Sequence, residues 1–222
     1  MTYRSIVARD PLREICSMCN CSGLLRAYEI IASGLEKVVY KAVGVTVKVR
    51  FESDVRIRGF VGVKRDDENT IVLGSSIVLR SADDLLYVLM HEACHNIVFI
   101  KFFNRDFPRR MRVYSKYLKW EHPEEIVCNA FADIARDSCF YSSDIEILDK
   151  RLRKFAELID KASLMAYAGK CVELASFFHR KLIPQAKDVG YALETMDVKR
   201  VSEKVVESII SMLESEGYGE DG

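Results

Sequence analysis

The chain has 222 residues, 49% of them apolar and 30% charged, with a formal net charge of zero. That length supports one sizeable core, or a core with a helical appendage. Zero net charge gives no overall drive toward nucleic acid or an anionic membrane, and no apolar run reaches the roughly 18 residues of a membrane span.

The first residues, Met1 to Arg13, are polar and charged and do not read as a secretory signal. The expectation is a soluble cytoplasmic protein. Seven Cys is an odd number, so at least one is unpaired within the chain. In an ordinary cytosol most would be thiols. Gln185 is the single Gln and there are five Asn beside many Lys, Arg and Glu. That bias fits a thermophile, where intracellular disulfides occur.

Taken in order, the chain first presents Cys16, Cys19 and Cys21 as C-x-x-C-x-C. A zinc site needs four ligands, and no fourth Cys or His lies close in sequence. Thiols or one local disulfide are therefore the expectation there. Leu24 to Val43 predicts a helix, with Leu25, Tyr28, Ile31, Leu35, Val38 and Val39 at helical spacing. Val45 to Phe51 alternates with a period of two and predicts a half-buried strand. Val55 to Lys64 is a second strand and Thr70 to Leu79 a third, with Gly74 as a bulge and a polar turn over 65–69 between them. The later two pair as a hairpin. Thr70 to Val78 is the candidate edge strand, which an extended peptide can join through main-chain hydrogen bonds.

Ser81 to Phe103 holds no Gly or Pro and predicts a helix. Ser81 suits the N-cap, and Asp83 and Asp84 suit the positive end of the helix dipole. Inside it, His91-Glu92-Ala93-Cys94-His95 reads H-E-x-x-H. Residues four apart share a helix face, so both imidazoles point the same way and reach one zinc ion. Glu92 is rotated from them but reaches a water on that ion. Leu86, Leu89, Met90, Ala93, Cys94 and Ile97 fall on the opposite, apolar side.

From Asn104 to Trp120, six basic residues face Asp106 alone, with Phe107, Tyr114, Tyr117 and Trp120 interleaved. Such a 105–119 segment can contact single-stranded nucleic acid, although a solvated cleft rim has the same composition. Pro123 then opens a helix with Glu124 and Glu125 in its first turn. Beyond Ser143 the chain predicts helices over Asp144–Ser163, Leu164–Ile183 and Val198–Glu214, and a disordered tail over 217–222. His179 is expected to be a structural or surface residue. The domain reading is a catalytic unit over 1–140, N-terminal helix included, with a helical region over 141–216 packed on it.

Catalytic zinc takes three protein ligands and a water. Val98 and Lys101 stand where a metzincin has Gly and His, which excludes that subclass. The third ligand comes from Glu125 or His122, with Glu121 and Glu124 as further options. Asn129, one turn after Glu125, favours Glu125, because it is placed to orient His91 by a hydrogen bond.

H-E-A-C-H followed by E-I-V-C-N-A-F-A resembles the Glu-zincin metallopeptidases, most of all the ImmA/IrrE-type family. The likeness covers about Val45 to Asp137. It implies a zincin-like α+β domain, a small mixed sheet plus an active-site helix, here with a helical C-terminal region. It also implies zinc held by His91, His95 and Glu125, with Glu92 as general base and Asn129 supporting the ligands. The expected activity is hydrolysis of a peptide or protein substrate by an activated water. Tyr114, Tyr117 and His122 are candidates for stabilising the oxyanion. Two other readings stand beside it. One is a SprT-like, DNA-associated metallopeptidase with His122 as third ligand. The other is a silent metal-binding scaffold acting as a binding module.

Overall fold

A helical frame built on one long amphipathic helix carries a small sheet on its flank. The structure, a computed structural model, describes residues 10–53, 63–64, 70–101, 123–201, 204, 205, 208 and 211. In chain order the elements are α1 (Pro11–Cys16), α2 (Ser22–Val43), β1 (Lys48–Glu52), β2 (Val63–Lys64), β3 (Thr70–Gly74) and a 3-10 turn (Ser75–Leu79). Then come α3 (Ala82–Lys101), α4 (Pro123–Cys139), α5 (Ser142–Tyr167), α6 (Cys171–Phe177), a π turn (Phe178–Leu182) and α7 (Ile183–Thr195). The class is α+β, mostly helical. Among the described residues, no helix is long and apolar enough to cross a membrane.

Buried apolar residues from Leu12 to Met196 form one contiguous cluster. α2 supplies Leu24, Ile31, Leu35, Val38 and Val39, all fully buried and at helical spacing. It stops at Gly44, whose φ of 72° is the left-handed conformation that glycine adopts without penalty, and the Gly44 N–H closes on the Tyr40 carbonyl. α1 begins on Asp10, which accepts a hydrogen bond from the Arg13 backbone N–H at 3.1 Å. The same buried carboxylate accepts from the Ser75 hydroxyl at 2.7 Å and from Ser53. One charge thus ties the first helix to the chain just past β1 and just past β3.

The sheet order is β1-β3-β2. β1 lies parallel to β3, with Lys48 opposite Thr70 and Glu52 opposite Gly74, and β2 is antiparallel to it. β1 alternates as the sequence predicts, with Val47 and Val49 buried and Lys48 and Arg50 exposed. β2 and β3 pair antiparallel, as a hairpin does. The edge reading for Thr70–Val78 needs correction. β3 is the middle strand among those described, and its run of buried Thr70, Ile71, Val72 and Leu73 is what a strand covered on both faces needs. The strand also ends at Gly74, and Ser75–Leu79 coils into a 3-10 turn instead of forming a bulge. On the outer strand, β1, the Val49 N–H is already taken by the Glu36 carboxylate at 2.9 Å.

The C-terminal boundaries differ from expectation as well. α5 runs through Ser163 and Leu164 to Tyr167, because Leu148, Leu152, Phe155, Ile159, Ala162 and Ala166 keep one buried stripe without a break. It stops at Gly169, with φ of 68°, where the Lys170 N–H reaches back to the Met165 carbonyl. The next helical stretch contains a π turn immediately before Pro184. Proline has no N–H to donate, and the Ile183 N–H bonds the Phe178 carbonyl five residues back. Val198 is not helical: it bridges to Phe140, and the Lys199 and Val201 N–H groups bond the Cys139 and Ala42 carbonyls. The 217–222 tail, the turn over 65–69 and most of the Val55–Lys64 strand lie outside the described residues.

The cysteines pair as Cys16–Cys21 and Cys19–Cys171, and Cys94, Cys128 and Cys139 are free and buried. Thiols or one local disulfide were the expectation near the N-terminus, and Cys16–Cys21 is such a local bridge. The second bridge, spanning 152 residues, has no counterpart in the local spacing.

Candidate metal centre

Two helices build the centre. α3 starts where expected: the Asp84 N–H donates to the Ser81 hydroxyl at 3.1 Å, and Asp83 and Asp84 occupy the first turn. Leu86, Leu89, Met90, Ala93 and Cys94 are fully buried. That burial fixes the helix's rotation and leaves His91 and His95 on its half-exposed side. α4 packs along α3 through Val127, Cys128, Phe131 and Ala132, also buried. Its first turn delivers Glu125 to the two histidines.

The distances define a tight triangle. The Nε2 atoms of His91 and His95 are 3.1 Å apart. Glu125 places Oε2 3.2 Å from the first and Oε1 3.5 Å from the second. Ligands held about 2.0–2.1 Å from one tetrahedral ion stand about 3.3–3.4 Å from each other, so these separations suit a shared cation. Glu92 stands at the margin, with Oε1 3.9 Å from His91 Nε2. His91, Glu92 and His95 together form a group able to hold a metal ion.

Burial dominates the electrostatics of Glu92, whose side chain is 7% exposed. Removal from water pushes its carboxyl up to about 7. The His95 and His91 rings oppose that, and Glu125 adds to it. Behind the triangle, burial pushes the Cys128 thiol far up, beside the Cys94 thiol and the His95 ring. Cys128 is therefore a protonated packing residue with no thiolate to offer a metal.

Asn129 is placed differently from expectation. Its Oδ1 accepts from the Tyr87 hydroxyl at 3.2 Å, and among the described residues His91 Nδ1 has no hydrogen-bond partner. Asn129 therefore supports the α3–α4 contact through Tyr87. The Arg136 guanidinium lies 5.9 Å from the Tyr87 ring centroid. Tyr87 was missed at the level of sequence, yet Tyr87, His91 and His95 recur every four residues, which is the signal that would have found it. His179 is exposed on the π turn, as a surface residue. Tyr114, Tyr117, Glu121, His122 and the basic 105–119 segment lie outside the described residues, as does the side chain of Glu124.

Compared with known protein families, with curated proteins and with solved structures, the chain matches none.

Proposed function

We propose that this chain is a zinc-dependent metallopeptidase with a zincin-type fold, of the Glu-zincin kind, acting on a peptide or protein. One observation carries the reading: two imidazole Nε2 atoms from α3 and the Glu125 carboxylate from α4 face one another at 3.1–3.5 Å. Two imidazoles and one carboxylate are the donor set of a catalytic zinc site that leaves a position open for water. The Glu125 side chain is 48% exposed, so the triangle opens toward solvent on that side.

His91, His95 and Glu125 would hold the ion, and zinc bound there supplies a Lewis acid that lowers the pKa of a water and polarises a carbonyl. Glu92 is the general base. It takes a proton from the attacking water as the C–O bond forms, and returns it to the amine as the C–N bond breaks. Its carboxyl, beside the triangle and 7% exposed, exchanges protons with the reacting groups more readily than with bulk water.

Two measurements test the reading together. Metal analysis of the purified chain should find about one zinc at this centre, and His91→Ala and Glu125→Ala should each weaken its retention by more than ~100-fold. Glu92→Gln should keep the zinc and lower hydrolysis of an unfolded protein substrate by about 10²- to 10⁴-fold. A Glu92→Gln variant that cleaves at the wild-type rate would exclude the mechanism. Zinc retained by Glu125→Ala would exclude the ligand assignment.

A further inference from the structure

The three N-terminal cysteines lack a fourth partner in the nearby sequence, and the fold supplies one. Cys16 is the last residue of α1, Cys19 sits in the connecting turn, Cys21 caps α2, and Cys171 opens α6. The turn between α1 and α2 is closed by the Cys19 N–H on the Ile15 carbonyl at 3.0 Å. Cys16 and Cys21 stand 5.1 Å apart at Cα, and Cys19 and Cys171 5.3 Å. Cys171 Sγ lies 3.5 Å from the Met18 carbonyl oxygen, against that same turn. Three of the four cysteines thus lie on the six-residue segment 16–21, and the fourth, Cys171, is bonded to it.

We propose that Cys16, Cys19, Cys21 and Cys171, when reduced, form a four-thiolate site for a zinc-class divalent cation, and that the two disulfides are its oxidised, metal-free form. The spacing suits this. Cys16 and Cys19 are separated by two residues, the usual spacing of a paired-cysteine zinc ligand set, and the remaining two ligands come from Cys21 and a distant helix. Half-burial suits it too: all four cysteines are neither fully exposed nor sealed off, so a reductant and a cation can enter. Cys21 occupies the N-cap of a 22-residue helix without a side-chain cap hydrogen bond, and no acidic residue stands in that helix's first turn. The positive end of the dipole therefore favours thiolate there.

The chemistry balances. Two dithiol molecules of a thioredoxin-like reductant convert the two disulfides into four thiols and leave as two disulfides of their own. One divalent cation then replaces four thiol protons, giving a site of net charge −2. This centre is separate from the His91–His95–Glu125 triangle, and neither reading depends on the other.

Cobalt(II) titration of the full chain tests it, because intense near-ultraviolet charge transfer arises from thiolate ligands and not from imidazole or carboxylate. The fully reduced wild type should show that band and saturate it at about one equivalent per chain. The oxidised chain should show none. Cys171→Ser should weaken the band-forming affinity by more than ~100-fold, because it deletes a ligand outright. Thermal unfolding gives a second arm if that variant folds poorly: zinc should raise the melting temperature of the reduced wild type by more than that of the oxidised chain, in which only the His91–His95–Glu125 centre can bind it. A reduced chain with no charge-transfer band, a band indifferent to Cys171→Ser, or a reduced chain that zinc stabilises no more than the oxidised one would each overturn the proposal.

Discussion

Burial works against the charge on Glu92, and that has a consequence for stability in the metal-free protein. Its carboxyl titrates near 7 in the folded chain against 4.5 when unfolded, with desolvation as the main cause and the two histidines opposing it. The folded state therefore holds its proton over a range where the unfolded state has released it. Stability from this group is fully present below about 4.5 and is lost as pH rises through about 7. The expected loss is about 3 kcal/mol. Urea unfolding of chelator-treated wild type and Glu92→Gln, at pH near 5 and near 8, checks this. Wild type should lose about 3 kcal/mol more than the variant, and equal losses would mean the carboxyl is not held out of water. At this scale the sequence was informative where a period governed it. His91, Glu92 and His95 were legible because one helix fixes their relation, whereas Glu125 was favoured over His122 through Asn129. Asn129 was expected to serve His91 and instead bonds the Tyr87 hydroxyl at 3.2 Å. Which of two nearby side chains an amide chooses depends on how the helices cross, and no spacing along one strand of sequence encodes that.

Between elements, α2 and α7 approach closely at two glycines. A Cβ placed on Gly34 would stand 2.9 Å from the Leu193 Cβ and 3.1 Å from the Gly190 carbonyl oxygen. A Cβ on Gly190 would stand 3.2 Å from the Ile30 carbonyl oxygen. Backbone and Cβ atoms cannot swing aside as the end of a long side chain can, so the helices themselves would have to separate. Gly34→Ala gains up to about 1 kcal/mol in helix propensity and loses about 1–3 kcal/mol to overpacking. The net expectation is a lower melting temperature, measured against Gly169→Ala. There an added Cβ meets nothing within 4 Å, and the cost is confined to the φ of 68°. A stabilised Gly34→Ala would show that the contact is loose. Element types were legible from periodicity, as α2, α3 and the β1 alternation show. Boundaries were less so. Glycine at 169 was a stop signal, but the apolar stripe of α5 had to be followed past Ser163 to reach it. β3 was placed at an edge although its four consecutive buried residues belong to a central strand, and only the pairing partners decide that.

Across the whole molecule, the bridge between Cys19 and Cys171 joins the start of the chain to its C-terminal helices, while Cys16–Cys21 closes a turn. In the chain-entropy account, a cross-link stabilises by restricting the unfolded ensemble, and the effect grows with the loop it closes. A sequence separation of 152 gives about 5 kcal/mol, and a separation of 5 gives about 2 kcal/mol. The long bridge also holds α6 against the turn that follows α1, so its loss frees α6, where Leu174 is buried. Under oxidising conditions Cys171→Ser should therefore lower the denaturant midpoint by more than twice the effect of a Cys16→Ser/Cys21→Ser double variant. No reading of C-x-x-C-x-C alone could have assigned that bridge, because its second half lies two-thirds of the chain away and is brought close only by packing of α5 and α6. If the two variants lost equal stability, residual structure would already restrain the long loop in the unfolded chain. Restraint in the unfolded ensemble, rather than the covalent link, would then set the order in which the chain comes apart.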